Sequence, residues 1–123
     1  MKDNADFSAV FKGLKSILEP YSKELVVVHD DVDHFYLNTH FLMKNKKPMY
    51  FGSVKINKNY VSFHLMPVYV FPELLNDISS KLKRRMQGKS CFNFRVLDDN
   101  LFKELGELTR DGYSEYKKVG YLS

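Results

Sequence analysis

The alternation of apolar and polar residues between Pro48 and Val96 predicts the centre of the fold. This stretch gives two strands joined by a tight turn at 57–59, then a helix, then a further strand. Upstream, two short segments rich in β-branched and aromatic residues give two more strands. The five predicted strands span residues 24–29, 35–43, 49–56, 60–65 and 90–96.

Apolar residues at helical spacing predict three helices around these strands. The first spans residues 4–18, the second follows Pro72, and the last begins after Asp98 or Asp99. Gly88 is expected to cap the second helix, and Gly112 to interrupt the last one. The apolar stripe of the second helix comprises Leu74, Leu75, Ile78, Leu82 and Met86.

Short connections between these elements favour antiparallel neighbours in the sheet. We therefore predict an α+β fold built on a mostly antiparallel sheet of about five strands. An N-terminal helix, a helix between strands four and five, and a C-terminal helix complete the expected fold. Residues 1–123 are interpreted as a single domain because the chain has the length of one.

The alternation also assigns each strand residue to one face of the sheet. One face is apolar and is expected to pack against the helices, with Val61, Phe63, Leu65, Phe92, Phe94 and Val96. The opposite face is polar. Its predicted members are Asn38, His40, Ser62, His64, Cys91, Asn93 and Arg95.

This polar face is the leading candidate for a ligand site. Arg95 could hold a carboxylate or phosphate through two parallel hydrogen bonds, and His64 could titrate near neutral pH. Together with Asn93 they favour a small anionic ligand. A solvated sheet face and a homodimer interface are the alternatives for the same residues, so the chain is expected to be a monomer or a homodimer through this face.

Catalysis by Cys91 and His64 is a weaker hypothesis. A thiol beside an imidazole can act as a nucleophile. However, the sequence contains no recognisable oxyanion-hole glycine motif and no orienting acid. We therefore predict a binding domain that is not an enzyme and needs no cofactor.

Charge is distributed unevenly along the chain, whose net charge is +4. Residues 35–96 are net basic and both flanking segments are net acidic. Acidic helices that neutralise a basic sheet would explain this layout, as would an anion-binding surface. A cluster of cations lies at the predicted end of the second helix, where it complements the helix dipole, and a phosphate or nucleic-acid contact is the alternative. Its members are Lys81, Lys83, Arg84, Arg85 and Lys89. No usual nucleic-acid motif accompanies this cluster, so a nucleic-acid partner is not expected.

Composition indicates the setting of the protein. The single cysteine, Cys91, excludes an internal disulfide, and the cytoplasm is the expected location. No apolar run approaches the ~20 residues that cross a bilayer, so no membrane partner is expected. The first residues lack the apolar core of a signal peptide.

A dense run of candidate metal ligands lies between the first two predicted strands, with His29, Asp30, Asp31, Asp33 and His34. Carboxylates suit iron, Mg²⁺ or Ca²⁺, and imidazole suits iron or zinc. Adjacent ligands converge poorly on one ion, and the spacing of an EF-hand is absent. A solvated acidic loop is therefore the default interpretation of this run, and a metal site is the alternative.

The segment NYVSFHLMPVY, followed by a helix and then by MQGKSCFNF, resembles the YdhG-like family of small bacterial domains. The matching pieces are Tyr60 to Leu65, Gly88 to Phe94 and the helix after Asp98. Some members are described as frataxin-like iron-binding proteins. The resemblance therefore implies an intracellular iron chaperone as the alternative function. The candidate iron ligands, by their acidity, would be Asp3, Asp6, Asp30, Asp31 and Asp33.

Overall fold

The computed structural model describes residues 7–122 and contains a five-stranded antiparallel sheet. Each strand pairs with its neighbour in the chain, so the strand order is β1-β2-β3-β4-β5. This arrangement confirms the predicted α+β fold class and the number of strands. The bounds are Val26–Asp30 for β1, His34–Leu42 for β2, Pro48–Ile56 for β3, Val61–Leu65 for β4 and Cys91–Phe94 for β5.

Within the described residues, four α-helices accompany the sheet. They are α1 at Phe7–Leu18, α2 at Met66–Val70, α3 at Ser80–Lys83 and α4 at Asp99–Lys118. Short 3-10 turns occupy Glu19–Glu24 and Pro72–Leu75. The N-terminal helix, a small helix between β4 and β5, and the C-terminal helix are confirmed. The predicted start of the first helix at residue 4 lies outside the described residues.

The apolar core lies between the sheet and the two longer helices. Phe35, Val54, Phe63 and Phe92 face one another in register across β2 to β5, and all four are buried. On the helical side, α1 and α4 contribute buried leucines and phenylalanines at helical spacing. The Tyr116 hydroxyl of α4 donates a hydrogen bond of 2.7 Å to the Tyr50 carbonyl of β3.

The prediction of one continuous helix after Pro72 is wrong. Pro72 begins a 3-10 turn, and α3 begins only after Ser79, whose side chain accepts a hydrogen bond from the Leu82 amide. The amide and hydroxyl of Ser79 donate to the Glu104 carboxylate of α4, at 2.6 and 2.7 Å. These contacts with α4 fix a turn where the apolar spacing predicted helix. Leu82 nevertheless lies in the core.

Three smaller predictions are also corrected. Val96 is 68% exposed, because β5 ends at Phe94 and the alternation ends with it. Gly88 adopts a left-handed φ of 84° in the loop before β5 and not at a helix end. Gly112 lies inside α4, where a Cβ atom would come within 2.7 Å of the Pro67 Cβ. Its role is to allow close contact between α4 and α2.

The start of α4 agrees with the prediction, since the Asp98 side chain accepts a hydrogen bond of 3.0 Å from the Leu101 amide. No helix in residues 7–122 combines the length and the apolar character needed to cross a membrane.

Candidate functional site

The polar face of the sheet carries two rows of side chains in register. The pairing of the strands places one residue from each strand at the same level. The first row, from β1 to β5, contains His29, Tyr36, Ser53, His64 and Cys91. The second row, from β2 to β5, contains His34, Lys55, Ser62 and Asn93.

Hydrogen bonds fix the β5 end of both rows. The Cys91 thiol donates to Asn93 Oδ1 at 3.3 Å, and Asn93 Nδ2 donates to Gln87 Oε1 at 2.8 Å. On the β4 side, Asn57 Nδ2 donates to the Ser62 hydroxyl at 3.0 Å. These residues line a concavity of about 370 Å³, the sheet-face concavity. Its polar groups are therefore held in defined positions.

The edge of β5 is covered by the segment that follows α3. The Gln87 amide donates to the Cys91 carbonyl, and the Asn93 amide donates to the Arg85 carbonyl, at 2.9 and 2.8 Å. Met86 forms an isolated bridge with Phe92. This pairing carries the basic residues after α3 along the outer side of β5.

Three arginines meet at this edge. Arg84, Arg85 and Arg95, here called the arginine cluster, line a concavity of about 260 Å³. The remaining lining residues of this cluster concavity are Asn59, Tyr60, Met86, Gln87 and Asn93. The same three arginines also border a second concavity of about 330 Å³ together with Lys81 and Asp98.

The arginine cluster forms no ion pair in the described part of the chain. Within residues 7–122, none of its three arginines has a carboxylate oxygen within 4.0 Å. Asp98, the acid that borders the neighbouring concavity, already accepts the Leu101 amide hydrogen bond at the start of α4. Guanidinium groups grouped in this way attract anions.

The polar-face residues predicted from the sequence lie in three different parts of the structure. Ser62, His64, Cys91 and Asn93 line the sheet-face concavity. Arg95 lies beyond the end of β5 in the cluster concavity, which also includes Asn93.

The two remaining predicted residues lie on β2 and line neither the sheet-face concavity nor the cluster concavity. Asn38 pairs with Val26 of β1 and with Tyr50 of β3. His40 is exposed and lines a separate concavity of about 170 Å³ with Glu24 and Tyr121. The structure therefore does not bring His40 together with His64 or Arg95.

Burial determines the protonation of the sheet face. It lowers the pKa of His64 below its ordinary value of 6.5, so the imidazole is neutral at pH 7. It raises the pKa of Cys91 above 9.0, so the sulfur is a thiol at pH 7. Cys91 and His64 face each other in register, and the Cys91 thiol donates its hydrogen bond to Asn93 Oδ1.

Two acidic residues of the run between β1 and β2 lie close to basic side chains. The Lys15 ammonium donates to Asp30 at 2.8 Å, and Asp31 lies 3.9 Å from His29 Nδ1. Within residues 7–122, no group of three or more His, Cys, Asp or Glu side chains could hold a metal ion. Asp3 and Asp6 lie outside the described residues. The iron hypothesis stays a prediction without a geometric site in the described part of the chain.

The sequence prediction did not include Tyr60 and Gln87 among the site residues. The basic run with Arg84 and Arg85 was assigned first to the end of a helix, and a phosphate or nucleic-acid contact was only its alternative. Its pairing with β5 depends on Gln87, Cys91 and their backbone hydrogen bond, which no alternation of side chains reveals.

Comparison of the chain with protein-family models, with curated proteins and with solved structures found no match. The resemblance to the YdhG-like family therefore stays a prediction.

Proposed function

We propose that this protein is a non-catalytic binding domain whose arginine cluster holds a small anionic ligand. The observation that carries the proposal is the grouping of Arg84, Arg85 and Arg95 around one concavity with no carboxylate within 4.0 Å among residues 7–122. A guanidinium group binds carboxylate and phosphate oxygens through two parallel hydrogen bonds. Phosphate suits three such groups best, because it has more oxygens and more charge than a carboxylate.

The assignment of roles differs from the prediction based on sequence alone. Arg95 supplies charge together with Arg84 and Arg85, and Asn93 supplies an amide at the boundary of the two concavities. His64 is neutral at pH 7 and lies in the sheet-face concavity, so it contributes no positive charge to the anion. Its imidazole would contact only the part of a ligand that extends beyond the anionic group.

Replacing Arg95 tests the proposal. Inorganic phosphate at low ionic strength is expected to raise the Tm of the protein, and Arg95→Ala is expected to remove most of that rise. A hydrogen bond to a charged group is worth about 1.5–3 kcal/mol, which corresponds to about a 10- to 150-fold loss of affinity. Differential scanning fluorimetry and isothermal titration calorimetry measure the two effects.

The matched control is Arg110→Ala. Arg110 lies on α4, is exposed and pairs with Asp111 at 3.3 Å, so its loss is expected to leave phosphate binding unchanged. The proposal fails if phosphate, sulfate and citrate all leave the Tm unchanged. It also fails if Arg95→Ala and Arg110→Ala retain the same phosphate affinity.

We also propose the cytoplasm as the location of this domain and a monomer or a homodimer through the sheet face as its oligomeric state. A single cysteine, with no partner for an internal disulfide, supports a reducing compartment. Sedimentation velocity at several protein concentrations distinguishes the two oligomeric states.

A further inference from the structure

We infer that the ligand of the arginine cluster is a nucleotide-type phosphate ester, in which the phosphate is attached to a flat ring that can form hydrogen bonds. This rests on the proposed anion site and specifies its ligand. The cluster concavity contains an aromatic ring and two amide side chains beside its three arginines. These are Tyr60, Gln87 and Asn93.

Tyr60 offers a ring on which a base could stack. Its side chain is partly exposed, and within the described chain no other aromatic ring contacts it. By contrast, Tyr36 and Tyr50 on the same sheet face stack on each other with ring centroids 4.7 Å apart. An aromatic ring next to arginines is the usual arrangement for binding an unpaired nucleotide.

The two amides offer donors in fixed positions. Asn93 Nδ2 donates to Gln87 Oε1 at 2.8 Å, and Asn93 Oδ1 accepts the Cys91 thiol at 3.3 Å. Within residues 7–122, Gln87 Nε2 donates to no protein acceptor. Asn93 Nδ2 carries two hydrogens, and the second one likewise has no acceptor among these residues. Amides of this kind bind the edges of heterocyclic bases, which present donors and acceptors side by side.

The site has room for more than a phosphate. Tyr60, Gln87 and Asn93 line both the cluster concavity of about 260 Å³ and the sheet-face concavity of about 370 Å³. The two concavities therefore adjoin each other, and sites for small molecules commonly occupy about 300–1,000 Å³. With its phosphate at the arginines, the ligand would place its flat ring beside Tyr60. Its sugar or ring substituents would then point toward Ser62 and His64.

Calorimetry on the full chain tests this inference. The ligands are inorganic phosphate, ribose 5-phosphate, the four common nucleoside 5′-monophosphates and a short single-stranded oligonucleotide with a terminal 5′-phosphate. At least one nucleoside monophosphate is expected to bind about tenfold more tightly than phosphate and ribose 5-phosphate, since stacking of one base gives a gain of about that size.

Tyr60→Ala is expected to remove this tenfold gain and to leave the affinity for inorganic phosphate unchanged. Tyr60→Phe keeps the ring and is expected to retain the gain, which also shows whether loss of folding explains a weak alanine variant. Tyr69→Ala is the matched control. Tyr69 is 53% exposed and lines a different concavity, so its loss is expected to change neither affinity.

The outcomes separate this inference from the proposed function. Nucleotides that bind no more tightly than phosphate, or a gain that survives Tyr60→Ala, would overturn the inference and leave the anion site intact. If neither phosphate nor any nucleotide shows binding that depends on Arg95, both are wrong. If the oligonucleotide binds more tightly than the mononucleotides, the phosphate ester belongs to the end of a polynucleotide. If a mononucleotide binds more tightly, the ligand is a free nucleotide. Either result supports the inference.

Discussion

Burial keeps His34 and His64 on the polar sheet face neutral at pH 7. His34 and His64 both have pKa values below 6.5, and burial is the largest cause for each of them. For His34, the neighbouring His29 and Lys55 lower the pKa further. A negatively charged group would therefore be attracted to the arginine cluster, and the neutral side chains would contact the uncharged part of the ligand.

These lowered pKa values predict that acid destabilises the protein. Below pH 6.5, His64 in the unfolded chain takes up a proton, while the folded protein resists protonation of the same imidazole. The unfolded state then binds more protons, so the free energy of unfolding is largest above pH 6.5 and decreases as the pH falls. His64→Gln is expected to make this decrease shallower. Urea denaturation at intervals from pH 5 to pH 8 measures it.

His40→Gln is the control for this experiment, because His40 is exposed near the end of β2 and does not line the sheet-face concavity. A His64→Gln curve parallel to that of the unmodified protein would contradict the prediction. Since His34 contributes in the same direction, the double variant with His34→Gln is expected to have the shallowest curve.

Side-chain alternation explains both what could be predicted about the site and what could not. It correctly placed Ser62, His64 and Asn93 on one face, because the strands are regular there. It failed for Val96 and misplaced Arg95 relative to His64, because β5 ends at Phe94. A period of two holds only within a strand, and the end of β5 depends on tertiary contacts.

At the scale of elements, the long helix α4 was harder to predict than the strands. The two glycines in its interior, Gly106 and Gly112, both lower helix propensity. The sequence therefore favoured an interruption at Gly112, whereas the structure uses this glycine for contact with Pro67. The two glycines differ in that Gly112 contacts α2. The sequence did not predict α2, so it could not distinguish them.

Because Gly112 contacts α2 and Gly106 does not, replacement by alanine is expected to have opposite effects at the two positions. Gly112→Ala is expected to destabilise the protein by about 1–3 kcal/mol, since its Cβ would lie 2.7 Å from the Pro67 Cβ. Gly106→Ala is expected to stabilise it by up to about 1 kcal/mol, because nothing lies within 4 Å of that Cβ and alanine favours helix. Urea denaturation of both variants measures the free energies. Equal effects of the two substitutions would be incompatible with this packing.

The segment between β4 and β5 shows why helices were harder to place than strands. Its apolar spacing matched one helix, but residues 76–79 separate the 3-10 turn from α3. Ser79 bonds to Glu104, which lies 25 residues away in the chain. Contacts of this range are not visible in a local pattern, so the core residue Leu82 could be predicted and the break in the helix could not.

Across the whole molecule, the strand order separates charges of opposite sign. β1 and β5 are the two edges of the sheet. The acidic run that includes Asp30, Asp31 and Asp33 lies at the β1 edge, and the arginine cluster lies at the β5 edge. The uneven charge along the sequence thus becomes a separation across the sheet, which would steer an anion toward the cluster.

The pairing of each strand with its chain neighbour also has a kinetic consequence. β1 to β4 are joined by connections of only a few residues, so these hairpins can form one after another, whereas residues 66–90 separate β4 from β5. The contact between α1 and α4, by contrast, joins the two ends of the chain. We expect β1 to β4 to pair early, and β5 and α4 to join them late. Gly112→Ala should therefore accelerate unfolding and hardly slow folding, which stopped-flow measurements in urea would show.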